Sequence, residues 1–299
     1  KRGKTMRLNP FCMCCAANKQ EKRIRDFADT DKKTEYMQKV MGILANAGPE
    51  DCAPSISIDI KKFFAEFWGE KHDDYSKEKH EFNQLMLSLE SRLEEDIRKS
   101  PDPLETALLY ARIGNYIDFA ALSQVAKETV LSLIESENKE PLEPGEYINF
   151  RKDLEKASSL VYLTDNCGEI VMDKLVIRIL KELYPNLDIT VVVRGIPVIN
   201  DATMEDAEEI GLTSLVKVVG NGDGVGGTWL PGINQETKNL LYSSDLILAK
   251  GQGNFETLHD CGLNIYYLFL CKCEWFQKLF HAKPLQGMFV NENRVTPDR

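Results

Sequence analysis

Asp165 and Asn166 stand side by side at the end of an apolar run and offer hard oxygen ligands, which suit Mg²⁺ or Mn²⁺ better than zinc. Asp201 lies in a second loop, Arg194-Gly-Ile-Pro-Val-Ile-Asn200-Asp201-Ala-Thr203. Two lysines follow further apolar runs, in Lys250-Gly251-Gln252-Gly253-Asn254-Phe-Glu256 and in Lys272-Cys273. Two carboxylates, an amide and two lysines are what transfer of a phosphoryl group to water requires. A cation held by Asp165, Asn166 and Asp201 would polarise the phosphoryl oxygens and acidify a water, while lysines and loop amides neutralise the developing charge. Gly251 and Gly253 let backbone N–H groups approach an anion, and a helix starting near Asn254 would add its positive dipole end. The water's proton could go to Asp201 or to Asp165.

Each of these residues also has a plainer reading. Asn166 with Glu169 three residues on is close to a capping box, and Asp201 could cap a helix over 202–210. Glu169 and Asp173 could form the polar face of their helix, and exposed lysines are the norm. Independent capping explains each carboxylate but not why lysine-bearing loops share their edge. Gly222-x-Gly224-x-x-Gly227 formally fits a dinucleotide fingerprint, but Pro231 breaks the helix that should follow and the next strand ends at Lys250 rather than at an acid. Of His72, His80, His259 and His281, none pairs by spacing with Cys167 or a serine, so Cys167 reads as a small turn residue.

The elements that must position these loops are strand-like runs at 159–164, 189–194, 215–219, 246–249 and 265–270, separated by helical patterns or glycine-rich loops. That alternation predicts βαβ units and a mainly parallel sheet, whose carboxyl ends place all four loops on one edge. Residues 288–290 fit an edge strand. Residues 11–154 read as helical instead, with stripes over 78–99, 104–122 and 124–134, and 137–145 is the candidate linker. The expected fold class is α/β: a helical N-terminal domain, 1–150, packed on a doubly wound, mainly parallel α/β/α sandwich, 151–299.

The 299 residues carry a formal net charge of −10, which argues against nucleic acid as a partner. No apolar run approaches the roughly 20 residues a membrane span needs. Basic residues 1–7 lead into Asn9-Pro10 rather than an apolar segment, so no signal peptide is expected. Eight cysteines without secretory features predict free thiols and a cytoplasmic protein. Cys12-x-x-Cys15 has ligand-like spacing but lacks a partner pair nearby, which predicts buried thiols on an N-terminal helix.

Taken together, Asp165-Asn-Cys-Gly-Glu169, Arg194 through Asn200-Asp-Ala-Thr203, Ala249-Lys-Gly-Gln-Gly-Asn-Phe-Glu256 and Lys272-Cys273 resemble the metal-dependent damage-control phosphatases, formerly a family of unknown function with ARMT-like members. Cys12-x-x-Cys15-x₄-Gln20 resembles the N-terminal helix of its stand-alone microbial subfamily. The resemblance implies a helical region on an α/β/α domain and a divalent ion (Mn, Co, Ni or Mg) at Asp165, Asn166 and Asp201. It also implies substrate contact by the loop Lys250, Gly251, Gln252, Gly253, Asn254 and by Lys272, with Glu169 and Arg194 in the same site. The implied substrates are small phosphorylated metabolites, either sugar phosphates or damaged phosphometabolites. Gly226-Gly227 departs from the proline-glycine expected in the glycine-rich loop. A non-catalytic phosphometabolite or nucleotide binder, and an S-adenosylmethionine-dependent carboxyl methyltransferase, are the alternatives; nothing in the sequence spells an S-adenosylmethionine site.

Overall fold

The structure, a computed structural model, describes residues 8–69, 74–115, 132 and 140–297. Its first half is helical: α1 (Pro10–Ile24), α2 (Thr30–Ala45), α3 (Ala53–Trp68), α4 (Ser76–Lys99), α5 (Pro103–Gly114) and α6 (Pro144–Leu154). Asn9, Asp29, Asp102 and Glu143 each accept a first-turn backbone N–H, which fixes where four of these helices begin. The stripe predicted over 78–99 is the buried side of α4, with Phe82, Met86, Leu93 and Ile97 in the core. Of the patterns over 104–122 and 124–134, α5 is described; apart from Ser132, residues 116–139 lie outside the described residues, as does His72.

The second half alternates: β1 (Ser159–Leu163), α7 (Glu169–Leu183), β2 (Asp188–Val193), α8 (Met204–Glu209), β3 (Lys217–Gly220), α9 (Gln235–Ser243), β4 (Leu246–Lys250), α10 (Gly251–Leu258), β5 (Ile265–Leu270), α11 (Glu274–Phe280) and β6 (Gly287–Asn291). The six strands lie in the order β3-β2-β1-β4-β5-β6. All neighbouring pairs are parallel except β5 with β6. β3 starts later than the apolar pattern over 215–219 suggests. Left-handed Gly211 and a short 3₁₀ turn, Leu212–Ser214, carry the chain there, so Leu215 and Val216 meet the core from a turn.

Leu160 pairs with Ile189 on one side and Leu246 on the other, so β1 is the strand from which the chain winds both ways. In such a sheet the crevice at the reversal, here between the carboxyl ends of β1 and β4, is where ligands bind. Strand alternation supplies two cores. Leu160, Tyr162, Leu248, Tyr266 and Leu268 face the cluster built with α4 to α8, whereas Val161, Leu163, Ile247, Tyr267 and Phe269 face α9 to α11. Each fully buried side chain of this size contributes about 1.5–3 kcal/mol.

Helices α1 to α3 enclose a separate cluster around Tyr36, Val40, Ile56, Ile60 and Phe64. This unit docks on the loop before α9 and on α11: Trp229 donates its indole N–H to the Glu50 carbonyl at 2.9 Å, and Phe11 stacks on Trp275 at 5.3 Å. Among the described residues, no helix is long and apolar enough to cross a membrane.

Candidate active site

The loops after β1 and β2 are stitched together by backbone. Ala202 donates its N–H to the Asp165 carbonyl at 2.8 Å, Cys167 donates to the Asn200 carbonyl at 2.7 Å, and Asn166 and Asp201 form an antiparallel bridge. Asp201, distant in sequence, therefore meets the adjacent pair Asp165 and Asn166. Neither capping reading holds. Helix α7 is capped by Gly168 without a side-chain bond, and α8 is capped by Thr203, which forms a capping box with Asp206. The helix expected near Asn254 begins at Gly251, directly after β4.

The side chains form two tiers. In the upper tier, Asp165 Oδ2 accepts the amides of Asn115 at 2.7 Å and Asn166 at 2.9 Å, while Asp201 Oδ2 accepts Arg194 Nε at 2.6 Å. In the lower tier, Glu169 Oε2 accepts the same two amides at 2.9 and 3.0 Å. Lys250 Nζ donates to Glu169 Oε1 at 2.5 Å, Asp173 Oδ1 at 2.7 Å and the Ala111 carbonyl at 2.9 Å, and Tyr162 donates its hydroxyl to Asp173. The side chains of Glu169, Asp173, Lys250 and Arg194 are wholly buried, whereas Asp165 and Asp201 keep 14% and 11% exposure, so solvent reaches only the upper tier.

Burial governs the protonation of these groups. It pushes Asp165 up to about 7, with the neighbouring charges of Glu169 and Asp201 adding to the rise and Lys272 and Arg194 opposing it. Asp201 is raised by burial despite Arg194 beside it, and Asp173 rises to about 6. Burial also works against ionised Glu169, but Lys250 and Asn115 more than offset it and hold this carboxyl below its ordinary value. Burial likewise opposes the charge on Lys250, yet Asp173 and Glu169 keep it protonated.

Four carboxylates (Asp165, Glu169, Asp173, Asp201) thus face two buried cations (Arg194, Lys250), an excess of two negative charges when all are ionised. A divalent cation would balance that excess, and the solvent-facing donors, carboxylate and amide oxygens, are the hard ligands it takes. Gly251 makes room for them. Its φ is +77°, and a Cβ there would lie 2.0 Å from Asp165 Oδ2.

The lysine-bearing loops do share the edge, but their side chains diverge. Lys250 turns inward to three internal acceptors, and Arg194 is sealed beneath Asp201, its Nη2 3.7 Å from Asp165 Oδ1 and neither Nη atom hydrogen-bonded among the described residues. Asn254 is buried too: its amide donates to the Thr164 and Lys250 carbonyls and its oxygen accepts the Thr228 hydroxyl, tying β1, β4 and the glycine-rich loop together. The Gly253 carbonyl accepts the Thr257 hydroxyl at 2.8 Å. Lys272 stays exposed at the rim, its backbone N–H donating to Gln252 Oε1 at 3.2 Å.

Sequence reading passes over Asn115, which reaches the site from α5, and takes Asp173 for a polar face. The four-residue spacing of Glu169 and Asp173, which puts both carboxylates on one side of a helix, is the signal that marks the pair. It also passes over Asn83. From α4, Asn83 accepts the Gly168 N–H at 2.6 Å and donates to Asp206 at 2.9 Å, holding both site loops. Lys79 adds an ion pair to Asp206 at 2.6 Å.

All eight cysteines are free, and burial raises the Cys167 thiol, in keeping with a turn residue. Cys14 and Cys15 are exposed and Cys12 is partly exposed, so the thiols of α1 are not the buried ones expected there. A second group of ligand-type side chains, His259, Asp260 and Glu292, has its donor atoms within 4.8 Å of one another. It sits at the opposite edge of the sheet, where Glu292 already accepts from His259, Tyr267 and the Asp260 N–H.

Comparison with known proteins gives one pattern. The family model for the damage-control phosphatase ARMT1-like domain matches residues 8–285. A damage-control phosphatase of Archaeoglobus fulgidus is 31% identical over 278 residues, covering 90% of this chain and 93% of the relative. Damage-control phosphatase PH1575 of Pyrococcus horikoshii is 29% identical over 276 residues, covering 90% and 92%. The crystal structure of a DUF89 family protein from P. horikoshii superposes with a TM-score of 0.75 at 25% identity, covering 96% of this chain and 99% of that one.

Proposed function

The chain belongs to the damage-control phosphatase ARMT1-like family and is a phosphatase; from that premise we propose that it hydrolyses small phosphomonoesters, sugar phosphates or damaged phosphometabolites, with a divalent cation held by Asp165, Asn166 and Asp201. The observation that carries this reading is the convergence of these three residues over a surplus of buried negative charge, beside the exposed Lys272. When bound, Mn, Co, Ni or Mg would supply Lewis-acid polarisation of the phosphoryl oxygens and make water at the site more acidic.

The chain's own residues do the rest. Arg194 and the Asn115–Asn166 amides hold the upper carboxylates in place, and Glu169 and Lys250 form the floor under them. Lys272 meets the phosphoryl charge from the rim. Helix α10 starts without a side-chain cap, so its first-turn N–H groups, at Gly251, Gln252 and Gly253, are available to an anion. One carboxylate of the Asp165–Asp201 pair takes the proton of the attacking water. Eight free thiols support a cytoplasmic location.

The test is a panel of phosphate esters assayed with each of the four ions, for the wild type and Asp165→Ala. Metal-stimulated phosphate release that disappears in the variant, with its melting temperature kept, is the expected result. A fully active variant would refute the assignment. Ligand-induced thermal stabilisation without turnover under any ion would favour a binding protein instead.

A further inference from the structure

We propose that Asn115 is a positioning residue for the cation: its amide occupies Asp165 Oδ2 and leaves Oδ1, which faces Arg194 Nη2 at the longer distance of 3.7 Å, as the carboxylate atom available to metal. The inference rests on the reading that Asp165, Asn166 and Asp201 hold that ion. Asn115 is wholly buried at the carboxyl end of α5 and spans 50 positions of sequence to reach Asp165. Its single amide nitrogen serves Asp165 Oδ2 at 2.7 Å and Glu169 Oε2 at 2.9 Å, the same two oxygens that Asn166 serves. The four side chains close a ring, and Asp165 is pinned from two sides by donors on different elements. The approach is close: a Cβ on the preceding Gly114 would lie 3.1 Å from Glu169 Cγ.

Asn115 Oδ1, meanwhile, is buried and has no hydrogen-bond partner among the described residues. Leaving a buried acceptor unsatisfied costs stability that an apolar side chain would keep. Orienting the carboxylate is the gain that accounts for an amide at this position. Partners that orient metal ligands typically contribute 10- to 100-fold in metal affinity.

Calorimetric titration of Mn²⁺ into the full-length wild type, Asn115→Ala, Asn115→Ser and Asp165→Ala tests this. The expected order is tight binding by the wild type, intermediate binding by Asn115→Ser, which keeps one donor, binding at least ~10-fold weaker by Asn115→Ala, and none by Asp165→Ala. A purely structural role would lower the melting temperature of the metal-free Asn115 variants and leave their Mn²⁺ affinity at the wild-type value, which overturns the inference. Should Asn115→Ala not fold, unchanged affinity in Asn115→Ser overturns it equally. A wild type that takes up no Mn²⁺ overturns instead the metal reading beneath it.

Discussion

Replacing Gly251 by alanine adds one methyl group and tests the geometry of the site more sharply than removing a ligand. At φ +77°, an L-residue incurs strain of roughly 1–2 kcal/mol. The added Cβ would lie 2.0 Å from Asp165 Oδ2 and 2.2 Å from its Cγ. To restore ordinary contact near 3.4 Å the carboxylate must retreat by about 1.4 Å, away from Asn115 and Asn166 at 2.7 and 2.9 Å. Losing one of these charge-assisted bonds costs about 1.5–3 kcal/mol, so with the backbone strain the fold should lose about 2.5–5 kcal/mol in all and survive. A displacement of about 1 Å at a reacting centre, however, costs on the order of 100-fold in rate. Steady-state phosphate release with Mn²⁺, together with melting curves with and without the ion, separates the two effects. We expect kcat/KM at least ~100-fold down and the Mn²⁺-dependent rise in Tm abolished. A variant with wild-type turnover and an intact Mn²⁺ shift would show that the Asp165 carboxylate need not stand where it does, and the argument would fail.

The two lysines should separate by phenotype. Lys250→Met strands Glu169 and Asp173 in the core and should destabilise by about 3–5 kcal/mol, whereas Lys272→Ala should leave Tm near that of the wild type and lower kcat/KM by roughly 100-fold. Denaturant melts beside kinetics decide this, and the opposite pattern would reverse the assignments. Glu256 supplies a pH signature. Burial holds it at about 7 against an ordinary 4.5, with Asp165 adding to the rise and Gln252 and Lys19 opposing it. The folded state therefore binds more protons than the unfolded chain between those values, and stability falls as pH rises through 7. Glu256→Gln should remove a penalty on the order of 2 kcal/mol, after allowing for partial exposure, and raise Tm at pH 8 while leaving it unchanged at pH 4. Parallel Tm-against-pH curves for the two proteins would count against it.

Much of this architecture was legible in the chain. Runs such as Leu160-Val-Tyr-Leu163 and Ile265-Tyr-Tyr-Leu-Phe-Leu270 can be little else than strands, and their spacing demands crossovers and hence a parallel sheet. Parallel strands in turn require the loops bearing Asp165, Arg194 to Asp201, Gly251 and Lys272 to open on one edge. Family membership is shown by a match that spans residues 8–285 and so includes these loops. The direction of each side chain within that edge was not legible. Lys250 and Lys272 look alike in sequence, yet one lies under the sheet's edge against Glu169, Asp173 and an α5 carbonyl 139 positions away, and the other faces water. Nothing near Asn115 announces that it meets Asp165, nor near Asn166 that its amide joins a ring of carboxylates instead of capping a helix. Periodicity, turns and strand ends arise from neighbours along the chain and can be read there. Desolvation and charge pairing depend on which distant segments close over a group, and only the folded packing determines that.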